Sequence, residues 1–233
     1  MKKLLLIQPG AFGDIIVCAP IAKWYADKGY EVYWPIREKF MSVLKEFPYV
    51  TPLILSEETL HDDWLRSDVL HILPMTKNYD KVINLADRGP HAPAQGLYES
   101  FEQCKYRLAE VPFEEKHKLQ WTRDKKREDE IYDRYVKSSE YVFVHNTSSN
   151  KERVAIPTSV NKPIVLCDDP EGYNIFDWYK VAINASEIYC TESSIWAFLD
   201  GIVNDTIEER YLLPRNKMSG STVSSYWKKE YLI

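Results

Sequence analysis

The chain has 233 residues, 45% of them hydrophobic, and a formal net charge of −5. That length suits one large domain or two small ones with cores of their own, and the acidic balance argues against a surface built for nucleic-acid phosphates. The apolar run behind the two N-terminal lysines is too short for a signal-peptide core or a membrane span.

Four cysteines, Cys18, Cys104, Cys167 and Cys190, stand at spacings that match neither a zinc site nor a redox pair, and they are expected to be reduced. His61, His71, His117 and His145 likewise form no metal-ligand spacing. The expectation is a cytoplasmic protein without a metal. Aromatic content is high, with 16 Tyr and 7 Trp, and these side chains are expected mainly to fill cores and interfaces.

Residues 2–8 read as a fully buried strand, and residues 15–28 place Ile15, Ile16, Ala19, Ile21, Ala22 and Tyr25 near helical spacing. "KGYEVYWPI" then supplies a turn and a second strand, completing a strand, helix, strand unit of the length of a parallel crossover. "EKFMSVLKEFP" predicts a helix, "VTPLILS" a strand, and "YDKVINLA" a strand late in the same sheet. Residues 87–99 are a loop rich in Pro, Gly and Ala, and "SFEQCKYRLAEV" is helical. Residues 116–138 bridge to a second half, their basic residues interleaved with acids.

From residue 140 the pattern restarts. "EYVFVHNTSS" is a strand running into a polar loop, "KPIVLCDD" a strand, "FDWYKVAINAS" a helix, and "EIYCTESSIWAFLDGI" a strand, loop and helix. The chain is therefore expected to be α/β, with domains at 1–138 and 139–233. In open parallel sheets, ligands bind beyond the carboxyl ends of the strands. "PGAFGD", "HNTSSNKER" and "TESS" all fall at such junctions. "PGAFGD" is neither the dinucleotide fingerprint nor a P-loop.

"LLLIQPGAFGDIIVCAPIAKWY" resembles the opening of the heptosyltransferase-type glycosyltransferases of family nine, whose first strand enters a Gly-x-x-Gly-Asp turn and an apolar helix. "FDWYKVAINASEIYCTESSIWAFLDGI" is similar to that family's donor-binding segment, and "VFVHNTSSNKERVAIP" to the opening of its second domain. The resemblance implies a GT-B fold, two Rossmann-like parallel-sheet domains facing across a cleft. It also implies metal-independent, inverting transfer of a sugar from a nucleotide-activated donor, with no cofactor beyond that co-substrate. No Asp-x-Asp motif occurs in the sequence.

By the same resemblance Asp14 is the base that takes the proton of the acceptor hydroxyl. The plain alternative makes it the N-cap of a helix beginning at Ile15. A departing nucleoside diphosphate needs cationic side chains, hydroxyls or helix N-termini. Lys151, Arg153, Thr191, Ser193 and Ser194 are the candidates, with Thr147, Ser148 and Ser149 as weaker ones. Lys151 and Arg153 also read as part of a solvated surface loop.

Glu192 replaces the family's Asp and is a candidate ligand for donor hydroxyls, or a first-turn acid complementing its helix dipole. Ser193 replaces Gly, and Trp196 stands near the family's His. Asp168 and Asp169 follow a strand on the donor side. Gly13, Asp87, Arg88 and His91 are expected on the acceptor side, the last three alternatively being turn formers. A saccharide or glycoconjugate acceptor is expected. Two other readings stay open: a compact, possibly viral, transferase acting on hydroxymethylated bases in DNA, its local basic patch at 116–127, and a nucleotide-binding module of the same fold without catalysis.

Overall fold

Four consecutive apolar residues, Leu4 to Ile7, cannot alternate between core and solvent, so a strand that carries them must be covered on both faces. In the computed structural model of the chain they form the inner part of β1 (Lys2–Ile7), each at most 1% exposed. The residues described are 1–55, 72–86, 100–147, 151–167, 173–202, 209–213 and 226–229. Among them the chain divides into two compact units, Met1–Thr122 and Arg123–Ile233.

In the first unit β1 lies between β2 (Tyr30–Arg37) and β4 (Lys81–Asn84), with β3 (Val50–Leu55) outside β2, and every pairing is parallel. Helix α1 (Phe12–Asp27) follows β1 and buries Ile15, Ile16, Cys18, Ala19, Ile21 and Ala22. It starts three residues before the expected position. Its N-cap is Ala11, whose carbonyl accepts from the Ile15 amide at 3.1 Å. Asp14 is therefore the third residue of the helix, and the reading of Asp14 as the N-cap is overturned. An alanine has no side-chain oxygen to announce a helix start, which is why the pattern alone placed it too late.

The segment expected to be one helix after β2 is a 3-10 turn, Glu38–Phe40, continued by α2 (Met41–Leu44). Helix α3 (Phe101–Leu108) has a full capping box: Ser100 Oγ accepts from the Gln103 amide at 3.1 Å, and the Gln103 side chain accepts from the Ser100 amide at 3.0 Å. A 3-10 turn, Phe113–His117, follows.

The second unit opens with α4 (Lys125–Tyr135). This helix packs on a 3-10 turn, Ile175–Trp178, and on α5 (Tyr179–Ile183). Arg127 pairs with Asp177 at 3.1 Å, Lys180 with Asp129 at 2.7 Å, and the Tyr135 and Trp178 rings lie 5.2 Å apart. The compact units thus part between Thr122 and Arg123, whereas the sequence placed the boundary after residue 138.

The second sheet holds β5 (Val142–His145), β6 (Ile164–Leu166), β7 (Glu187–Thr191), β8 (Glu209–Leu213) and β9 (Lys228–Lys229). Their order is β6-β5-β7-β8-β9, all parallel. Helix α6 (Ser194–Gly201) follows β7 with Phe198 fully buried.

Buried aromatics fasten elements through their polar ends. In the first unit Tyr25 Oη donates to the Ala109 carbonyl at 2.7 Å and Tyr106 Oη to the Val17 carbonyl at 2.9 Å. In the second, Tyr141 Oη donates to the Val181 carbonyl at 2.7 Å. Cys18, Cys104, Cys167 and Cys190 are buried free thiols. Among the described residues no helix is long and apolar enough to cross a membrane.

Candidate functional site

Parallel sheets expose their C-terminal edges to whatever the following loops carry. In the first unit that edge is built around Gln8, the residue after β1. Its side-chain Nε2 donates to the Gly10 carbonyl at 3.1 Å, and its own carbonyl accepts from Trp34 Nε1 at 2.7 Å. Both residues are buried, Gln8 1% and Trp34 0% exposed, so the turn is fixed from inside the protein.

The turn ends in a strained residue. Ala11 has φ 60° and ψ 131°, a left-handed backbone that costs a residue with a Cβ about 1–3 kcal/mol and is found preferentially at functional sites. From it α1 starts, with Gly13 and Asp14 in its first turn and both half-buried. A carboxylate there complements the positive end of the helix dipole. Phe12, at the helix start, is 37% exposed and meets Phe40 edge-on at 5.1 Å.

At the corresponding edge of the second unit, Asn146 follows β5. Its Nδ2 donates to the Val154 carbonyl at 2.7 Å, while its backbone carbonyl accepts from the Val154 amide at 2.8 Å. Together with a bridge between Thr147 and Arg153, these bonds close the loop at its base. Lys151, in the left-handed region at φ 65°, and Arg153 are both exposed. Because Nδ2 must face a carbonyl, Oδ1 of Asn146 is identified, and it is buried without a hydrogen-bond partner.

On the neighbouring strand β7 ends at Thr191, whose fully buried Oγ1 also lacks a partner. Buried polar atoms are as a rule hydrogen-bonded, and these two oxygens stand out at the carboxyl edge of the sheet. Ser193 is the N-cap of α6: its Oγ accepts from the Trp196 amide at 3.2 Å, leaving its proton free to donate. Ser194 is the first helical residue. Glu192, buried at 6% exposure, precedes the cap and so is not a first-turn acid. His145 Nδ1 lies 3.2 Å from the Cys167 carbonyl and ties β5 to the end of β6.

Thus the structure groups Gly13 and Asp14 at one edge, and at the other it groups Thr147, Lys151 and Arg153 on one loop and Thr191, Glu192, Ser193 and Ser194 at the next junction. Ser148, Ser149, Asp87, Arg88, His91, Asp168 and Asp169 lie outside the described residues. Sequence reasoning missed Gln8, Trp34 and Asn146, whose roles come from side-chain bonds to backbone carbonyls that no residue pattern announces.

The basic stretch at 116–127 is largely neutralised in place. Lys116 is buried against Glu102 at 2.5 Å, Lys118 pairs with Glu115 at 2.6 Å, Arg123 with Glu128 at 2.5 Å, and Arg127 with Asp177 at 3.1 Å. A patch whose charges are already paired has little left to offer a phosphate backbone.

Two α/β units, each with a parallel sheet and polar loops at its carboxyl edge, make the fold GT-B-like, the fold of a class of glycosyltransferases. Three solved structures of glycosyltransferases are similar to this chain. A family 9 glycosyl transferase from Veillonella parvula DSM 2008 superposes with a TM-score of 0.60 at 9% identity, over 98% of this chain and 86% of that one. The ADP-heptose lps heptosyltransferase II of E. coli gives 0.57 at 10% identity, over 99% and 91%. The iron-containing dodecameric glycosyltransferase TibC of enterotoxigenic E. coli H10407 gives 0.50 at 11% identity, over 91% and 57%. At such identities the likeness establishes the fold. No protein-family model matches the sequence, and no curated protein matches it.

Proposed function

We propose that the chain is a metal-independent, inverting glycosyltransferase that moves a sugar from a nucleotide-activated donor to a hydroxyl of a saccharide or glycoconjugate. The observation that carries this reading is the strained Gln8–Ala11 turn. It presents a carboxylate, Asp14, at the carboxyl edge of a sheet in a chain with the fold of glycosyltransferases. Strain is retained where the surrounding structure enforces it for a purpose, and a base needs a fixed position against its acceptor.

In this reading Asp14 accepts the acceptor's proton as that oxygen attacks the anomeric carbon from the face opposite the leaving group, so the configuration inverts. The second unit holds the donor. Thr191, Ser194 and the free proton of Ser193 donate to the departing diphosphate with the N-terminus of α6, while Lys151 and Arg153 neutralise its charge. Glu192, and the unpaired Oδ1 of Asn146, accept from donor hydroxyls or N–H groups. Gly13, Asp87, Arg88 and His91 serve the acceptor side. The nucleotide sugar is the sole co-substrate, and the reaction takes place in the cytoplasm.

Purified protein is to be incubated with ADP-, GDP- and UDP-sugars, ADP-heptose among them, alone and with saccharide acceptors, and nucleoside diphosphate release followed. The expected result is release from one donor that rises with acceptor and is unaffected by chelators. Nucleotide binding without release from any donor would instead make the chain a binding module of this fold.

A further inference from the structure

The first unit contains a buried ammonium that the proposed chemistry does not use. Lys105, on α3, is 3% exposed, and its Nζ donates to Gln8 Oε1 at 2.5 Å and to the Leu85 carbonyl at 3.0 Å. The Phe101 ring lies 4.2 Å from the same nitrogen. Gln8 and Leu85 are the residues immediately after β1 and β4, whose last residues, Ile7 and Asn84, are register partners. The lysine therefore sits under the carboxyl edge of the sheet, at the root of the turn that leads to Asp14.

All these partners are neutral. Among the described residues Lys105 has no carboxylate within ion-pairing distance, and the nearby acid on its own helix, Glu102, is already paired with Lys116 at 2.5 Å. A buried charge without a counter-charge is costly, and an apolar side chain of similar length would fill this place at lower cost. Retaining it points to electrostatic use.

Among the described residues, these charged and titratable groups share its surroundings through Cys18 and Glu102. From α1 come Asp14 and Cys18, from α3 Glu102 and Tyr106, and from the following 3-10 turn Lys116. Cys18 reports on the field. Burial pushes its thiol up to about 12, with Lys105 pulling the other way and Asp14 and Glu102 adding to the rise. Lys105 and Asp14 thus both act on one sulfur, the one four residues beyond Asp14 on the same face of α1.

We propose that Lys105 is a positioning residue for Asp14: through Gln8 it fixes the turn from which α1 starts, and its buried charge favours the carboxylate form of Asp14. The relay is continuous, from Lys105 Nζ to Gln8 Oε1, from Gln8 Nε2 to the Gly10 carbonyl, and along the chain to Ala11 and the first turn of α1. The role rests on the reading of Asp14 as the base, yet it is testable without any substrate.

The test is a carboxyl 13C NMR titration of aspartate-labelled full-length protein, with the Asp14 signal assigned by its loss in Asp14→Asn. In Lys105→Met the Asp14 midpoint is expected to rise by about one pH unit, because an opposite charge has been removed from its surroundings. A purely structural lysine would lower the melting temperature and leave that midpoint where it was, and an unmoved midpoint overturns the proposal. Should the methionine variant not fold, Lys105→Gln removes the charge but keeps a donor for the Leu85 carbonyl, and is read the same way. An unmoved midpoint beside an inactive Asp14→Asn discards the lysine's role alone. A shifted midpoint beside a fully active Asp14→Asn discards the base and with it the purpose of the relay.

Discussion

Replacing Asp14 by asparagine is expected to lower donor- and acceptor-dependent nucleoside diphosphate release by about 100- to 10,000-fold, the usual worth of a general base. Asparagine keeps the size of the side chain and its place at the third position of α1 but cannot take a proton. The loss of helix-dipole complementarity costs about 0.3–1 kcal/mol, so the fold survives. With the donor held by the second unit, as proposed, the effect is expected to fall on kcat while the KM for the donor stays near the wild-type value, the mark of an interaction made in the transition state. Steady-state kinetics over a range of donor concentrations read both numbers. Release at the wild-type rate in Asp14→Asn would keep the enzyme and discard its base.

The largest effect on stability is expected at Glu102 and Lys116. Their side chains are 4% and 1% exposed and 2.5 Å apart, so each offsets the other's charge inside the protein. Lys116→Met takes a close counter-charge away from a buried carboxylate, at a cost of about 3–5 kcal/mol. For a unit of this size that is a fall in melting temperature of about 10 °C or more. The double variant Glu102→Leu with Lys116→Met removes both charges and is expected to recover most of the loss, since a well-packed apolar pair often equals or exceeds a buried ion pair. Thermal melts of the wild type, both single variants and the double variant form a closed cycle. Equal and additive losses would show that the pair is not coupled.

Much of the architecture is legible from residue order. A solid apolar run such as Leu4–Ile7, or Val142–Val144 with all three residues fully buried, marks a strand covered on both faces, and the glycines and polar clusters after such runs mark the sheet edge. The start of α1 is not legible, because the strained Ala11 carries no capping signal and its turn is held by Gln8, itself tied to Trp34 on β2. The place of α4 is hidden for a similar reason. Its charged surface reads as a linker until Arg127 finds Asp177 and Lys180 finds Asp129. Strands β8 and β9 follow segments with no clear period, and only pairing makes them strands, β8 with β7 and β9 with β8. Of the candidate site, Asp14 and the Thr191–Ser194 turn stand out in the sequence, whereas Asn146 becomes visible only through the bond that closes its loop and Lys105 only through its long-range bond to Gln8.

The tyrosine fastenings set an alkaline ceiling on the whole chain. Burial pushes the phenols of Tyr106 and Tyr141 above their ordinary range, and each gives its proton to a backbone carbonyl in a different unit. The folded chain therefore holds protons that the unfolded chain releases near pH 10, so this part of the stability is complete below that value and drains away above it. Strong base would unlatch both halves by the same chemistry, at the Val17 carbonyl in one and the Val181 carbonyl in the other.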